Sequence, residues 1–109
     1  MSRIYLLNSP VLTDYGHFGF YPLTLEAARE LVQEPFTSAI GHAATAQVMS
    51  RLLGVEVALW RGRITTQPGD RALIFRLLVR LEEGRVFDQA ELAALPFELG
   101  LLHHLGEVQ

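Results

Sequence analysis

The sequence predicts a mixed α/β (α+β) fold in one domain: a β-sheet of about five strands flanked by helices, in the order β-α-β-α-β-β-α-β. Three observations lead there. Apolar, β-friendly runs bounded by turn residues recur along the whole chain, at 3–8, 36–40, 55–65, 71–81 and 97–108. Three stretches between them carry helix-start and helix-stop signals. The chain has 109 residues, half of them hydrophobic, enough to bury one core, and residues 1–109 contain no repeat, linker or low-complexity segment that would divide it.

RIYLLN (3–8) reads as a buried strand that stops at Asn8, Ser9 and Pro10. Residues 9–22 hold Gly16, Gly19 and several aromatics and read as a loop or an irregular hairpin. His17 within it sits in a connection that either covers a ligand or is an ordinary loop. Thr24 is placed to cap a helix over LEAARELV, with Glu26 in its first turn and Pro35 as its stop. FTSAI (36–40) is the next strand and runs directly into Gly41-His42. A helix from about Ala43 to Leu53 places Val48, Met49, Leu52 and Leu53 on one face, and Gly54 ends it. VEVALWRGRIT (55–65) and RALIFRLLVRL (71–81) flank TQPGD, a turn signal that predicts an antiparallel hairpin. Asp88 and Glu91 form an N-cap and N3 pair for a short helix, DQAELAAL, that stops before Pro96. FELGLLHHLGEV (97–108) closes the chain as a strand inside the sheet.

Composition removes several classes of function. There is no cysteine, which excludes disulfides, thiolate metal sites and cysteine nucleophiles. All nine basic residues are arginine, so a P-loop lysine and Schiff-base chemistry are excluded too. Phosphate recognition would use guanidinium forks or backbone amides. The net charge of −3 argues against general nucleic-acid binding, so no DNA partner is expected. No apolar run is long enough to span a bilayer, and MSRIYLLNSP is too short and polar for a signal peptide. A cytoplasmic protein without a membrane partner is the expectation.

SAIGHAATAQVMS (38–50) is the most informative stretch. A strand, a glycine and a helix start make a ready anion site at Gly41-His42, where unpaired amides point outward and the helix dipole adds partial positive charge. Small residues at 43, 44 and 46 let a phosphate or a partner's backbone come close. The alternative is that His42 only caps the helix and the alanines pack on the sheet. Arg76 and Arg80 share a strand face with Ile74 and Leu78, and charges on so apolar a strand call for solvent or an anionic partner. Arg61 and Arg63 share a face of the 55–65 strand in the same way, with a solvated edge as the alternative. Glu82 and Glu83, taken alone, are surface charges. His103 and His104 are adjacent, so they point to opposite faces of a strand; they form no local metal pair, and at least one is structural. No metal-ligand spacing, Ser-His-Asp arrangement or Gly-rich phosphate loop is present, and no metal or cofactor is expected.

Taken together, YLLN at 5–8, IGHAATAQVMSRLLGVEV at 40–57 and RLEEGRV at 80–86 resemble the viral and mobile-element anti-CRISPR ring nucleases. These small proteins degrade cyclic tetra-adenylate, the alarm signal of type III CRISPR systems. The similarity spans most of the chain in the same order. It implies that His42 is the catalytic histidine and that Arg80 and Glu83 are the active-site arginine and glutamate. It implies ligand contacts at Asn8, at Ala44 and Thr45 just past His42, and at Arg61. Two departures stand out. Arg76 occupies the position where the family commonly has glutamine, and Ser9 follows Asn8 as part of Ser9-Pro10-Val11 where many members have a serine contact. The resemblance further implies a two-fold homodimer with cyclic tetra-adenylate across its interface, linear di-adenylate products with 2′,3′-cyclic phosphate ends, and action in the host cytoplasm. The rivals from other classes are a non-catalytic cyclic-oligoadenylate sponge and a small protein-interaction module.

Overall fold

The computed structural model describes residues 3–8, 15–62, 64–79 and 88–106. Ile4–Leu7 form β1, and all four residues are buried, as a strand covered on both faces requires. His17–Pro22 form β2, Leu25–Leu31 α1, Thr37–Ser38 β3, Ala43–Leu53 α2, Arg71–Leu77 β4, Gln89–Ala94 α3 and Phe97–Gly106 β5. The sheet runs in the order β2-β5-β4-β1-β3. β1 lies parallel to both β3 and β4, whereas β5 is antiparallel to its neighbours β2 and β4.

The helices begin and end where side chains settle their orphan backbone groups. The Thr24 hydroxyl accepts from the Ala27 amide at 3.1 Å and starts α1. The Asp88 carboxylate accepts from the Glu91 amide at 2.8 Å while the Glu91 carboxylate accepts from the Asp88 amide, a reciprocal capping box for α3. Gly54 ends α2 in the left-handed region, at φ 74°, where a Cβ would be strained. Arg29 on α1 donates from Nε to the Leu52 carbonyl at 2.9 Å, tying the two long helices together.

Strand alternation then divides the core. Ile4, Leu6, Leu73 and Phe75 face Ala28, Leu31 and Val32 near α1 and Ala46, Val48, Met49 and Leu53 on α2. The intervening residues Tyr5, Leu7, Ala72, Ile74 and Leu102 form a smaller cluster on the opposite face, with Phe18, Ala39 and Ile64 against it.

The fold class and strand number agree with the sequence expectation, but one strand is in a different place. None of the described residues of 55–65 pairs with β4. Instead Val57 is buried in the helix-side core and Leu59 makes a single parallel bridge to Ile40. All seven residues of β4 pair with the longer β5, from Arg71↔His103 to Leu77↔Phe97. The turn signal was real but joins a loop to a strand: the Asp70 carboxylate accepts from the Gln67 and Arg3 amides, each at 2.8 Å, and anchors the turn to β1. The missing strand comes from the ambiguous 9–22 stretch, where residues 17–22 form the edge strand on β5. The observed order is therefore β-β-α-β-α-β-α-β.

Candidate functional site

Because β1, β3 and β4 run parallel, their C-terminal ends meet at one end of the sheet. Ligands gather at such an end because helix N-termini open there. Asn8 follows β1 and is exposed. Ile40, Gly41 and His42 lead from β3 into α2, and Leu78 and Val79 follow β4.

His42 is the N-cap of α2, with extended backbone (φ −126°, ψ 120°). Its Nδ1 accepts from the Thr45 amide at 3.3 Å and lies 3.2 Å from the Thr45 hydroxyl. The His42 carbonyl accepts from the Ala46 amide at 3.0 Å and opens the helical ladder. A neutral imidazole capping through Nδ1 carries its proton on Nε2. Ala44, Thr45 and Ala46 are buried, so the small residues do pack into the core, while Gly41, His42 and Ala43 remain partly open to solvent. The capping alternative is thus real, and it fixes which ring nitrogen faces away from the helix.

Arg61 reaches this point through a segment that the hairpin expectation misplaced. The Ser38 hydroxyl donates to the Ala58 carbonyl at 2.6 Å and the Trp60 amide to the Ile40 carbonyl at 2.9 Å, so residues 58–60 run beside the β3 exit. Arg61 Nε then donates to the Gly41 carbonyl at 2.9 Å. A Cβ at Gly41 would meet Arg61 Cγ at 3.4 Å, an ordinary contact, so the arginine stem lies directly over this residue. The structure therefore brings Asn8, Gly41, His42, Ala44, Thr45 and Arg61 to one end of the sheet. Arg76 is elsewhere in character: it lies opposite Glu98 across the β4–β5 pair and forms an exposed ion pair with it. That carboxylate is the anionic partner the sequence called for. Ser9, Arg80 and Glu83 lie outside the described residues, as do Arg63 and Glu82.

Trp60, 43% exposed, was not singled out from sequence, although it is the only tryptophan and directly precedes Arg61. Leu59, Leu78 and Val79 are likewise exposed apolar residues at or beside the C-terminal ends of the parallel strands. Two hollows lined by described residues lie apart from His42. One of about 360 Å³ rests against Phe20, Ile74 and the Arg76–Glu98 pair, and one of about 620 Å³ lies at the opposite end of the sheet near Arg3 and Asp70. Among the described residues no group of three or more histidines and carboxylates could hold a metal ion. No described helix is long and apolar enough to cross a membrane.

The pattern of the STIV B116-like family matches residues 4–99. The chain belongs to the STIV B116-like family. ORF117 of Acidianus two-tailed virus is 37% identical over 103 residues, covering 88% of each chain. Protein 26 of a Sulfolobus islandicus filamentous virus is 43% identical over 70 residues, 63% of this chain and 59% of the viral protein. Relatives of this STIV B116-like protein extend beyond viruses: YddF of Bacillus subtilis is 29% identical over 106 residues. The structure of B116 from Sulfolobus turreted icosahedral virus superposes with a TM-score of 0.80 at 24% identity, over 94% of this chain and 100% of that one, and so shares the fold.

Proposed function

We propose that this STIV B116-like protein is a metal-independent ring nuclease. It would bind cyclic tetra-adenylate across a homodimer in the host cytoplasm and silence type III CRISPR signalling. The observation that carries this reading is the His42 cap. With Nδ1 turned into the helix, Nε2 is the nitrogen that can deliver a proton at the open end of the parallel strands, beside helix-start amides and Arg61.

RNA supplies its own nucleophile. The 2′-oxygen attacks the adjacent phosphorus, forming one P–O bond as the P–O5′ bond breaks. The 2′-hydroxyl proton passes to water, and the 5′-oxygen takes the Nε2 proton of the His42 imidazolium, leaving a neutral ring. The imidazole then recovers a proton from solvent. Helix-start amides and Arg61 stabilise charge on the phosphoryl oxygens. The resemblance puts Arg80 and Glu83 in the active site, where Arg80 would share this task and Glu83 would either orient Arg80 or hydrogen-bond the ribose, with Asn8 and Ser9 as ligand contacts. A dimer fits the exposed Leu59, Trp60, Leu78 and Val79 grouped at this end, since contiguous apolar surface of this kind is commonly covered by a partner.

The test is single-turnover incubation with labelled cyclic tetra-adenylate in excess EDTA. Linear di-adenylate with cyclic-phosphate ends is expected, and a ring carrying 2′-deoxyribose should bind without being cut. A strict need for added divalent ions would overturn the mechanism. The alternative is a sponge that binds the ring without turnover. Tight binding with no cleavage in the same assay would select it.

A further inference from the structure

We propose that Thr45 is a positioning residue that lets His42 carry its second proton without leaving the helix cap; this rests on the nuclease reading above. Two groups of Thr45 face the same ring nitrogen. The backbone amide lies 3.3 Å from His42 Nδ1 and the hydroxyl oxygen 3.2 Å from it. An amide can only donate, whereas a hydroxyl both donates and accepts.

That difference matters at each stage of proton transfer. In the resting neutral ring, Nδ1 holds a lone pair and accepts from the Thr45 amide, which places the only ring proton on Nε2. The imidazolium needed for general-acid catalysis carries a proton on Nδ1 as well. That proton points at an amide N–H that cannot accept it. The Thr45 hydroxyl, rotated to present a lone pair, takes it. When Nε2 gives its proton to the departing 5′-oxygen, the ring is left neutral with its proton on Nδ1, the tautomer opposite to the resting one. The same hydroxyl holds this species until solvent reprotonates Nε2. Thr45 is 8% exposed, so water has little room to replace the hydroxyl. An alanine or valine at this position would remove that acceptor and leave a part-buried Nδ1–H of the acid form facing the residue-45 amide N–H.

The test compares wild type with Thr45→Val, which conserves volume, and Thr45→Ser, which conserves the hydroxyl. In single-turnover cleavage near neutral pH, Thr45→Val should lose roughly tenfold or more in rate, the size of one charge-assisted hydrogen bond. Because the resemblance also makes Thr45 a ligand contact, rates are compared at saturating ring, where Thr45→Ser should recover most of the rate. Imidazole-nitrogen NMR of the ligand-free proteins gives the second readout. All three should rest with the proton on Nε2. With the ring doubly protonated, the wild type and Thr45→Ser should show a hydrogen-bonded Nδ1 proton, and Thr45→Val should show none. A Thr45→Val enzyme cleaving at the wild-type rate would overturn the proposal, as would a resting wild-type ring protonated on Nδ1. A loss of affinity with unchanged bound-state rate would place the hydroxyl on the ligand instead, and also overturn it. If the wild type cleaves nothing, the nuclease reading fails, and the NMR arm alone decides: identical Nδ1 proton signals in wild type and Thr45→Val refute the role.

Discussion

His42 and His104 stand at opposite ends of the sheet and meet it on similar terms, yet they are built for different work. Each has Nδ1 against a threonine hydroxyl, Thr45 at 3.2 Å and Thr66 at 2.9 Å. At His104 the rest of the residue is closed as well. Its Nε2 donates to the Gly106 carbonyl at 3.1 Å, its amide donates to the Asp70 carbonyl, its carbonyl accepts from Gly69, and its ring lies 4.5 Å from Phe18. With 3% exposure it is a buried polar clamp that fixes the end of β5 onto the turn at 67–70. His42 instead stands partly exposed at a helix N-terminus, where its Nδ1 caps α2 by accepting from the Thr45 amide. The lesson is that a threonine partner on Nδ1 does not by itself set a histidine's surroundings: His104 is 3% exposed with both ring nitrogens bonded within the fold, whereas His42 is a partly exposed helix cap.

The comparison is broken most forcefully at His42 itself. His42→Asn keeps a good N-cap but has no proton to give, so single-turnover cleavage should fall by roughly a hundredfold or more while affinity persists. Thermal melting should move little. An unchanged rate would reduce His42 to a second structural histidine. The reverse pattern is expected at His104→Leu. Losing the Thr66 and Gly106 bonds should cost about 1–3 kcal/mol in urea unfolding, with cleavage by the folded protein unaffected. A selective loss of rate there would erase the division between the two ends.

Gly54→Ala sharpens the same contrast from the far end of α2. At φ 74° a Cβ is strained, so about 1 kcal/mol of stability should be lost in denaturant titration. Cleavage should persist, because the His42 end of the helix is untouched; a large rate loss would mean that the site depends on the whole helix. The smallest effect is expected at Arg76→Gln, which breaks an exposed ion pair with Glu98 worth less than about 1 kcal/mol. If Arg76 also serves the ring as a ligand contact, titration calorimetry should show weaker binding of cyclic tetra-adenylate with stability nearly unchanged.

Much of the candidate site was legible because its geometry is local. The Gly41-His42 junction, the helix that follows and the Gly54 stop could all be placed from residue order, as could the Thr24 and Asp88–Glu91 caps. Arg61 was flagged for its charge but given the wrong setting. Its bond to the Gly41 carbonyl depends on residues 58–60 lying beside the β3 exit, a contact about twenty positions away in sequence. Arg76 was flagged as a charge needing solvent or an anionic partner, and it has both: it is exposed and pairs with Glu98, 22 residues later.

The sequence by itself determined the fold class, the helix boundaries and the residues at the start of α2. Helix caps join groups three or four residues apart, so the chain order nearly specifies the contact. Only the tertiary structure decided which strand β4 pairs with, that residues 17–22 form an edge strand, and that His104 rather than His103 is the closed histidine. Loop-closure entropy grows slowly with chain length, so a nearby partner has little advantage over a distant one. Burial then chooses: β5 offered β4 a full register of partners, while 55–65 placed Val57 in the helix-side core and left Leu59 and Trp60 outside.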